Sequence, residues 1–290
     1  MSLTPPASTG SYLSPAARWL ILLIHLLAFW PLGLWYLQRL ADGGDEAWGL
    51  LSLMTAAVLI IREARHGAPA FSAGNAAGGR PVDFLWSALF TLVYAASYVW
   101  LPPLARACLA VTALTATLSA CFLRRRFHAG IWGLLMLSLP VIESLQFFAG
   151  YPLRTLVAAL AATLLRLGGL AVVPQGAALG WGDMLVVVDA PCSGIRMLWV
   201  GAYLVVALGC LYRLSFMRLL AGTILSLAIL VLGNTLRAAA LFYLEAGLIP
   251  PVCAAHTAIG IVIFTLTVAA IVAVMEFLRR TATCVPLRSF

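Results

Sequence analysis

Long apolar runs, separated by short polar segments, make up most of the chain. They fall at roughly 18–38, 47–61, 82–101, 104–123, 129–148, 193–212, 218–244 and 255–278. Most of these runs are close to the ~20 residues that a helix needs to cross a bilayer. Ten-residue segments of alternating polarity, which are typical of a membrane β-barrel, are absent from the sequence. The pattern predicts a polytopic all-α membrane protein with about eight transmembrane helices.

A further apolar run, at about 151–169, carries two arginines and is predicted not to cross the membrane. Arginine-rich loops stay in the cytoplasm, so the turn between Arg213 and Arg218 should lie inside and the run 193–212 should begin outside. The five runs before it, counted from a cytoplasmic N-terminus, already end outside. The segment 151–169 is therefore expected to be an interfacial amphipathic helix or to re-enter. A ninth crossing is the alternative, and it would place Arg213 and Arg218 outside.

Residues 170–192 form the longest connection on the predicted outer side. Two stretches rich in β-branched residues flank a glycine-rich turn there, which predicts a short hairpin that leads into Cys192. The whole chain, 1–290, is expected to be one integral membrane domain. Its parts are an N-terminal half of five spans at 1–150, the interfacial helix and outer loop at 151–192, and core helices at 193–280.

Composition and charge agree with this topology. Of the 290 residues, 63% are hydrophobic and 10% are charged, whereas a soluble domain is about a quarter charged. All 18 basic residues are arginines, and they lie between the apolar runs rather than along a nucleic-acid-binding stripe. We expect a multi-pass protein of the cytoplasmic (inner) membrane with both termini cytoplasmic, in contact with lipids and without a nucleic-acid partner. No small-residue cleavage site follows the first run, so that run should be retained as an anchor.

Three polar residues on successive predicted helices are expected at one depth. Cys192 and His256 each open a run on the outer side. Arg237 lies about 28 Å along its helix from Arg218, at the cytoplasmic start of that helix. Because the bilayer core is about 30 Å thick, all three residues should lie near the outer membrane boundary. Short loops keep successive helices adjacent, so Cys192, Arg237 and His256 are predicted to form one site.

This combination of residues suits a thiol enzyme. A cysteine at a helix N-terminus is favoured as the thiolate, and Arg196, one turn further on, adds to this effect. His256 is then predicted to act as general acid and base, and Arg237 to stabilise the oxyanion or the substrate. Ser193 suits helix capping better than nucleophilic attack. No metal and no cofactor is expected.

Other polar residues near this depth have more than one interpretation. Asn234 either makes polar contacts between helices or orients Arg237 or the substrate. Glu143 is expected near the outer end of its run, where it forms a structural ion pair with Arg196 or Arg237 or binds substrate. Glu245 follows Arg237 by two turns and either belongs to this site or is solvated.

The remaining cysteines and an isolated histidine have simpler predictions. Those expected to be packed inside the protein are Cys108, Cys121, Cys210, Cys284 and His25. Cys253 is predicted on the outer side, three residues before His256. There it could form a disulfide with Cys192, or a zinc site with Cys192, His256 and Asp189.

The segments "APCSGIR", "GNTLR" and "HTAIG" follow one another on three hydrophobic runs. They resemble the pattern of the exosortase/archaeosortase family, which has a cysteine in a C-S-G context, an arginine in N-x-x-R and a downstream histidine. The matching residues are Cys192, Arg237 and His256, with Asn234 at the start of N-x-x-R. The resemblance is specific over 185–265 and is limited to multispanning character in the N-terminal half.

The resemblance implies a membrane cysteine transpeptidase or endopeptidase. Such enzymes act on exported proteins whose C-terminal sorting signal is a short motif (typically Pro-Glu-Pro in bacteria), a transmembrane helix and a basic tail. The resemblance also implies that the enzyme cleaves near the motif at the outer (periplasmic) face and transfers the new C-terminus to a cell-envelope acceptor. The chain departs from the usual pattern at Pro191 and Thr257, where many members have an alanine and an acidic residue, so the subfamily and the sorting motif stay open.

Two other classes of protein remain as alternatives. A small-molecule transporter or channel would use intramembrane polar residues as its pathway, but the sequence shows no repeated halves and its polar residues gather at one predicted face. A scaffold in envelope polysaccharide assembly would carry the three residues without using them. A fast-reacting, acidic Cys192 thiol would favour an enzyme over a scaffold.

Overall fold

The computed structural model describes residues 14–41, 47–66, 84–123, 127–188, 194–250 and 254–283. Helices make up most of this part of the chain, and its strands are confined to 173–187. The chain divides into two compact units, Met1–Pro140 and Val141–Phe290. The sequence suggested a division after residue 150.

The described part of the first unit contains six helices. They are α1 (Pro15–Ala28), α2 (Trp30–Ala41), α3 (Ala47–His66), α4 (Leu85–Ala96), α5 (Pro103–Phe122) and α6 (Ala129–Leu137). The Ser14 hydroxyl caps α1 by accepting a hydrogen bond from the Ala17 N–H, and α1 and α2 are bent by 62° relative to each other. Small side chains on α5 are buried, which allows neighbouring helices to approach closely. The alanines among them are Ala107, Ala110, Ala113, Ala116 and Ala120.

His25 of α1 forms a hydrogen-bonded cluster with α4 and α5. Its Nδ1 donates to the Ile21 carbonyl oxygen at 2.9 Å, since a carbonyl oxygen only accepts. Its Nε2 lies 2.8 Å from the Ser87 hydroxyl and 3.3 Å from the Thr117 hydroxyl. Buried polar groups need such partners, and the predicted packed role of His25 is confirmed. Cys121 is likewise buried, with 2% of its surface exposed.

The second unit begins with α7 (Ile142–Leu167), a single helix of 26 residues. The predicted division into a run that ends at 148 and a separate interfacial helix over 151–169 is wrong. The break falls instead between α6 and α7, where Pro140 disfavours a continuous helix. Pro152 lies inside α7. Membrane helices tolerate proline because neighbouring groups satisfy the carbonyl that loses its partner.

Three short strands follow α7 and form an antiparallel sheet in the order β1-β2-β3. β1 is Val173–Gln175, β2 is Ala178–Trp181 and β3 is Met184–Val187. Gly176 and Gly182 begin the two-residue turns with φ of +60° and +58°, the conformation that a type II′ hairpin requires at this position. Where one hairpin was expected, the chain makes two in succession.

One side of this sheet contributes to a buried apolar core. Leu179 of β2 and the flanking Val172 and Val188 pack there with Phe242 and with α7 residues between 157 and 165. Burial of apolar surface on this scale is the main force that holds such short strands in place. The sheet is therefore fixed beside the C-terminal half of α7 and the helix that carries Phe242.

Three closely packed helices follow the sheet: α8 (Ile195–Leu211), α9 (Phe216–Glu245) and α10 (Ala255–Thr283). They correspond to the predicted runs 193–212, 218–244 and 255–278. Gly233 of α9 lies against the Thr267 side chain of α10 with no room for a Cβ atom. Small residues at such contacts let membrane helices pack backbone to backbone. The core that the three helices share contains Met197, Val205, Leu230, Ile271 and Met275.

Four helices of the described residues are long and apolar enough to cross a membrane: α5, α7, α9 and α10. A fifth span results if the bent pair α1 and α2 counts as one, and α4 and α8 are shorter apolar helices. Many leucine, isoleucine, valine and tryptophan side chains are exposed on these helices, which is typical where lipid is the solvent. The chain is thus consistent with a polytopic all-α membrane protein, and the number of eight crossings stays a prediction.

Candidate active site

The start of α8 rests on α9 through Gly194 and Asn234. Gly194 is the N-cap of α8, is buried and has a φ of +80°. A Cβ atom added to it would lie 2.8 Å from Nδ2 of Asn234, a residue that is 3% exposed. Glycine alone combines this left-handed conformation with so close an approach. The residue that ends the Cys-Ser-Gly motif is therefore held directly against the N-x-x-R helix.

Arg237 lies one turn after Asn234 on α9 and extends toward α10. Its guanidinium covers Gly260, because a Cβ atom at Gly260 would lie 3.6 Å from Nη2 and 3.7 Å from Nε. The Nε atom is buried, and the described residues include no hydrogen-bond partner for it. Leaving a buried charged donor without a partner is costly. This donor is thus available to a substrate oxygen or to a group outside the described part of the chain.

His256 and Glu245 face each other across the connection from α9 to α10. Glu245 is the last residue of α9, and His256 is the second residue of α10. Nδ1 of His256 lies 3.8 Å from Oε1 of Glu245, and both side chains are 53% exposed. This distance is too long for a hydrogen bond, but the carboxylate is close enough to attract a protonated imidazole.

A cleft of about 240 Å³ runs between the sheet and the last turns of α9. Its α9 wall consists of the apolar residues Ala238, Leu241 and Phe242, followed by Glu245, and His256 also lines it. Asn234 and Glu245 are eleven positions apart on α9, which puts them on one helix face about 17 Å apart. The α9 residues of the site therefore lie along one face of the helix. This face extends from Asn234, which contacts Gly194, to the cleft lined by Glu245 and His256.

The structure brings together part of the predicted set. Asn234 and Arg237 are one turn apart on α9, and His256 lies just beyond the end of the same helix. Arg196 is exposed in the first turn of α8. Six residues that the sequence analysis considered lie outside the described residues: Asp189, Pro191, Cys192, Ser193, Cys253 and Cys284.

Glu143 is not part of this group. It lies in the first turn of α7, whereas α7 contacts Ala238 and Phe242 through residues between Val157 and Leu165. At 1.5 Å per residue, about 21 to 33 Å of helix separate Glu143 from that contact. The prediction assumed that a run ended shortly after Glu143; because α7 begins there instead, Glu143 is at the opposite end of the helix and is too far from Arg237 to form an ion pair with it.

Two features of the site exceed what the sequence analysis predicted. Glu245 lies next to His256, whereas the sequence did not decide whether Glu245 belongs to the site or is solvated. Gly247 and Pro250 in the sequence indicate a turn between α9 and α10. This turn is the signal from which the proximity of Glu245 and His256 could have been predicted. The cleft was missed altogether, because it depends on packing between β3 and α9, which are far apart in the sequence.

The family model for transmembrane exosortases (Exosortase_EpsH) matches residues 41–273, most of the chain. The chain belongs to the exosortase family. No curated protein and no solved structure matches it. Exosortases are a family of cysteine transpeptidases and proteases, so membership indicates a membrane enzyme that sorts proteins. The exosortase match also extends the resemblance into the N-terminal unit.

Proposed function

We propose that this exosortase is a membrane cysteine transpeptidase or endopeptidase that cleaves the C-terminal sorting signals of membrane-anchored exported proteins. The contact between Gly194 and Asn234 carries the proposal, because it joins the Cys-Ser-Gly motif to the helix of Arg237. Cys192 precedes Gly194 by two residues in the sequence, and two residues of chain span at most about 7 Å. The form of the signal, a short motif, a membrane helix and a basic tail, is taken from the family resemblance.

In the first half of the proposed reaction, the Cys192 thiolate attacks the scissile carbonyl carbon. A C–S bond forms while the carbonyl π electrons move onto the oxygen, and the buried Nε–H of Arg237 donates a hydrogen bond to this oxyanion. When the tetrahedral intermediate collapses, the C–N bond breaks and the His256 imidazolium gives its proton to the leaving amine. The products are a thioester on Cys192 and the released membrane helix with its basic tail.

The second half of the reaction transfers the acyl group. Neutral His256 takes a proton from an amine or hydroxyl of the envelope acceptor, or from water, as that nucleophile attacks the thioester carbon. The C–S bond then breaks and Cys192 leaves as the thiolate. Glu245, with its carboxylate 3.8 Å from Nδ1, orients the imidazole during this step.

The outer (periplasmic) face of the cytoplasmic membrane is the proposed side of the reaction. α6 has 9 residues and is about 14 Å long, too short to cross, whereas α7 has 26 residues and is about 39 Å long. One crossing by α7 replaces the predicted crossing at 129–148 and the surface helix after it. This exchange leaves the predicted number of crossings unchanged at this point of the chain, which supports the cytoplasmic position proposed for the turn with Arg213 and Arg218.

The test uses a reporter, a tagged exported protein that ends in a short motif, an apolar helix and an arginine cluster, taken from the organism that encodes this chain. In a host without an exosortase, co-expressed wild-type enzyme should remove the C-terminal signal of the reporter. Cys192→Ala should abolish processing. Cys108→Ala, which changes a thiol within α5, is the matched control and should keep the processing rate within about twofold. Membrane fractionation confirms that each variant is inserted, and full processing by Cys192→Ala would contradict the proposal.

A further inference from the structure

The cleft beside the site follows the edge of β3 rather than one face of the sheet. Its lining includes five consecutive residues, from Met184 to Val188. Successive side chains of a strand point to opposite faces, so one cleft meets all five residues only along the edge of the strand. Such an edge presents a row of backbone N–H and C=O groups.

One hydrogen bond shows which backbone groups of β3 face outward. The Val188 N–H donates to the Ala177 carbonyl oxygen at 2.9 Å, next to the pairs of the β2–β3 ladder. Every second residue of an antiparallel strand bonds to the same neighbour. The backbone groups of Leu185 and Val187 therefore point away from β2, and no strand of the described residues pairs with them.

The other edge of the sheet is blocked. By the same alternation, Val173 and Gln175 direct their backbone groups to β2, while Pro174 between them directs its own away from β2. Proline has no N–H, and proline on an edge strand prevents a further strand from pairing there. The sheet thus has one edge that is closed to strand addition and one that is open, and the open edge borders His256 and Glu245.

An extended peptide fits this cleft better than a lipid chain does. The apolar α9 wall suits either occupant, but only a peptide has backbone groups that pair with the outward groups of Leu185 and Val187. β3 ends at Val187, five residues before Cys192 in the sequence. A peptide that pairs with β3 is therefore bound along the strand from which the chain continues to the proposed nucleophile.

We propose that an extended segment of the membrane-anchored substrate adds to β3 as a fourth strand, with its backbone bonded to Leu185 and Val187. This inference rests on the proposed function, which supplies the peptide, and it adds the way in which the enzyme holds that peptide. Alternate side chains of the bound segment face the apolar wall of α9. We therefore expect a preference for apolar residues at alternate positions of the segment.

Disulfide cross-linking in membranes tests the strand addition. The enzyme carries Cys192→Ala and Cys253→Ala together with Leu185→Cys, and single cysteines are placed one at a time along the reporter segment that precedes its membrane helix. Val173→Cys is the matched control, because Val173 on the closed edge and Leu185 on the open edge are both 56% exposed. Mild oxidation should cross-link Leu185→Cys to every second reporter position, with yields several-fold above those of Val173→Cys.

Cross-links without a two-residue period, or equal yields from the two enzyme positions, would overturn the inference. Processing of the reporter by the wild-type enzyme is measured alongside. If the proposed function is wrong, processing will not depend on Cys192. If only the strand addition is wrong, processing will still depend on Cys192.

A backbone substitution provides a second test that needs no cross-link. Leu185→Pro removes one N–H that faces the cleft and keeps the hydrogen bonds to β2, whereas Leu185→Ala shortens only the side chain. The net contribution of one hydrogen bond corresponds to about a fivefold change, so Leu185→Pro should process the reporter about fivefold more slowly than Leu185→Ala. Equal rates for the two variants, both inserted in the membrane, would overturn strand addition at this residue.

Discussion

Glu245 places a carboxylate beside His256, where the proposed reaction needs an imidazole that gains and loses a proton. Its Oε1 lies 3.8 Å from Nδ1, close enough to orient the imidazole with Nδ1 toward the end of α9. Nε2 is then the nitrogen that serves the leaving group and the acceptor. Because both side chains are half-exposed, water screens this attraction, and the effect on the reaction should be moderate.

Glu245→Gln should lower the rate of reporter processing about tenfold, since general acid–base catalysis contributes ~10²–10⁴ in total and Glu245 only assists it. Glu276→Gln is the matched control, because Glu276 is also a carboxylate of this helical unit but contacts Arg279 and Arg280 near the end of α10. The control should stay within about twofold of the wild type. Time courses of reporter cleavage measure both variants. Equal rates for the two variants would exclude a role of Glu245 in the reaction.

At the scale of single elements, the N-terminus of α8 depends on one glycine. Gly194 lets the chain enter α8 in the left-handed conformation while its backbone touches the Asn234 side chain of α9. The first turn of α8 is thereby fixed relative to Arg237. A small displacement there moves the preceding residues, and misplacement of a reacting group by 1 Å costs about 10²-fold in rate.

Gly194→Ala should lower both stability and activity, and Gly169→Ala should lower stability alone. A left-handed alanine costs ~1–2 kcal/mol, and this cost is common to both positions, which have φ of +80° and +89°. Only at Gly194 does the added Cβ meet Asn234; at Gly169 nothing lies within 4 Å. Thermal unfolding in detergent should show a lower unfolding temperature for both variants. Processing of the reporter by Gly194→Ala should be slower by about tenfold or more, because a displaced reacting group has an effect of this order. Equal processing by the two variants would contradict this account of α8.

Helices with clear apolar runs and clear ends were predictable from the sequence. The limits of α8, α9 and α10 agree closely with the predicted runs, because a turn with Arg213 separates the first two and a connection with Gly247 and Pro250 separates the last two. The α6–α7 break was misplaced, because Pro140 and Pro152 both interrupt the same apolar stretch. Their different effects depend on the packing around each proline, and a sequence pattern contains no information on that packing.

At the scale of the whole chain, the family match and the helical content support a membrane-embedded exosortase. Helix rise and membrane thickness predicted Arg237 and His256 at one depth, and in the structure Arg237 lies against Gly260 of α10 while His256 lies beside Glu245. The same argument failed for Glu143, because it depended on a helix boundary that was wrong. The sheet and its cleft required contacts between distant parts of the chain, which helix periodicity does not predict.

Acid-quenched mixtures of enzyme and reporter in membranes show whether Cys192 forms a thioester with the substrate. The wild-type enzyme should give a covalent adduct whose mass is that of the enzyme plus the N-terminal cleavage product, and hydroxylamine should release this product. The adduct should appear before free product accumulates and should be absent with Cys192→Ala. Complete processing of the reporter with no adduct at any time, together with the same processing by Cys192→Ala, would contradict thioester formation on Cys192.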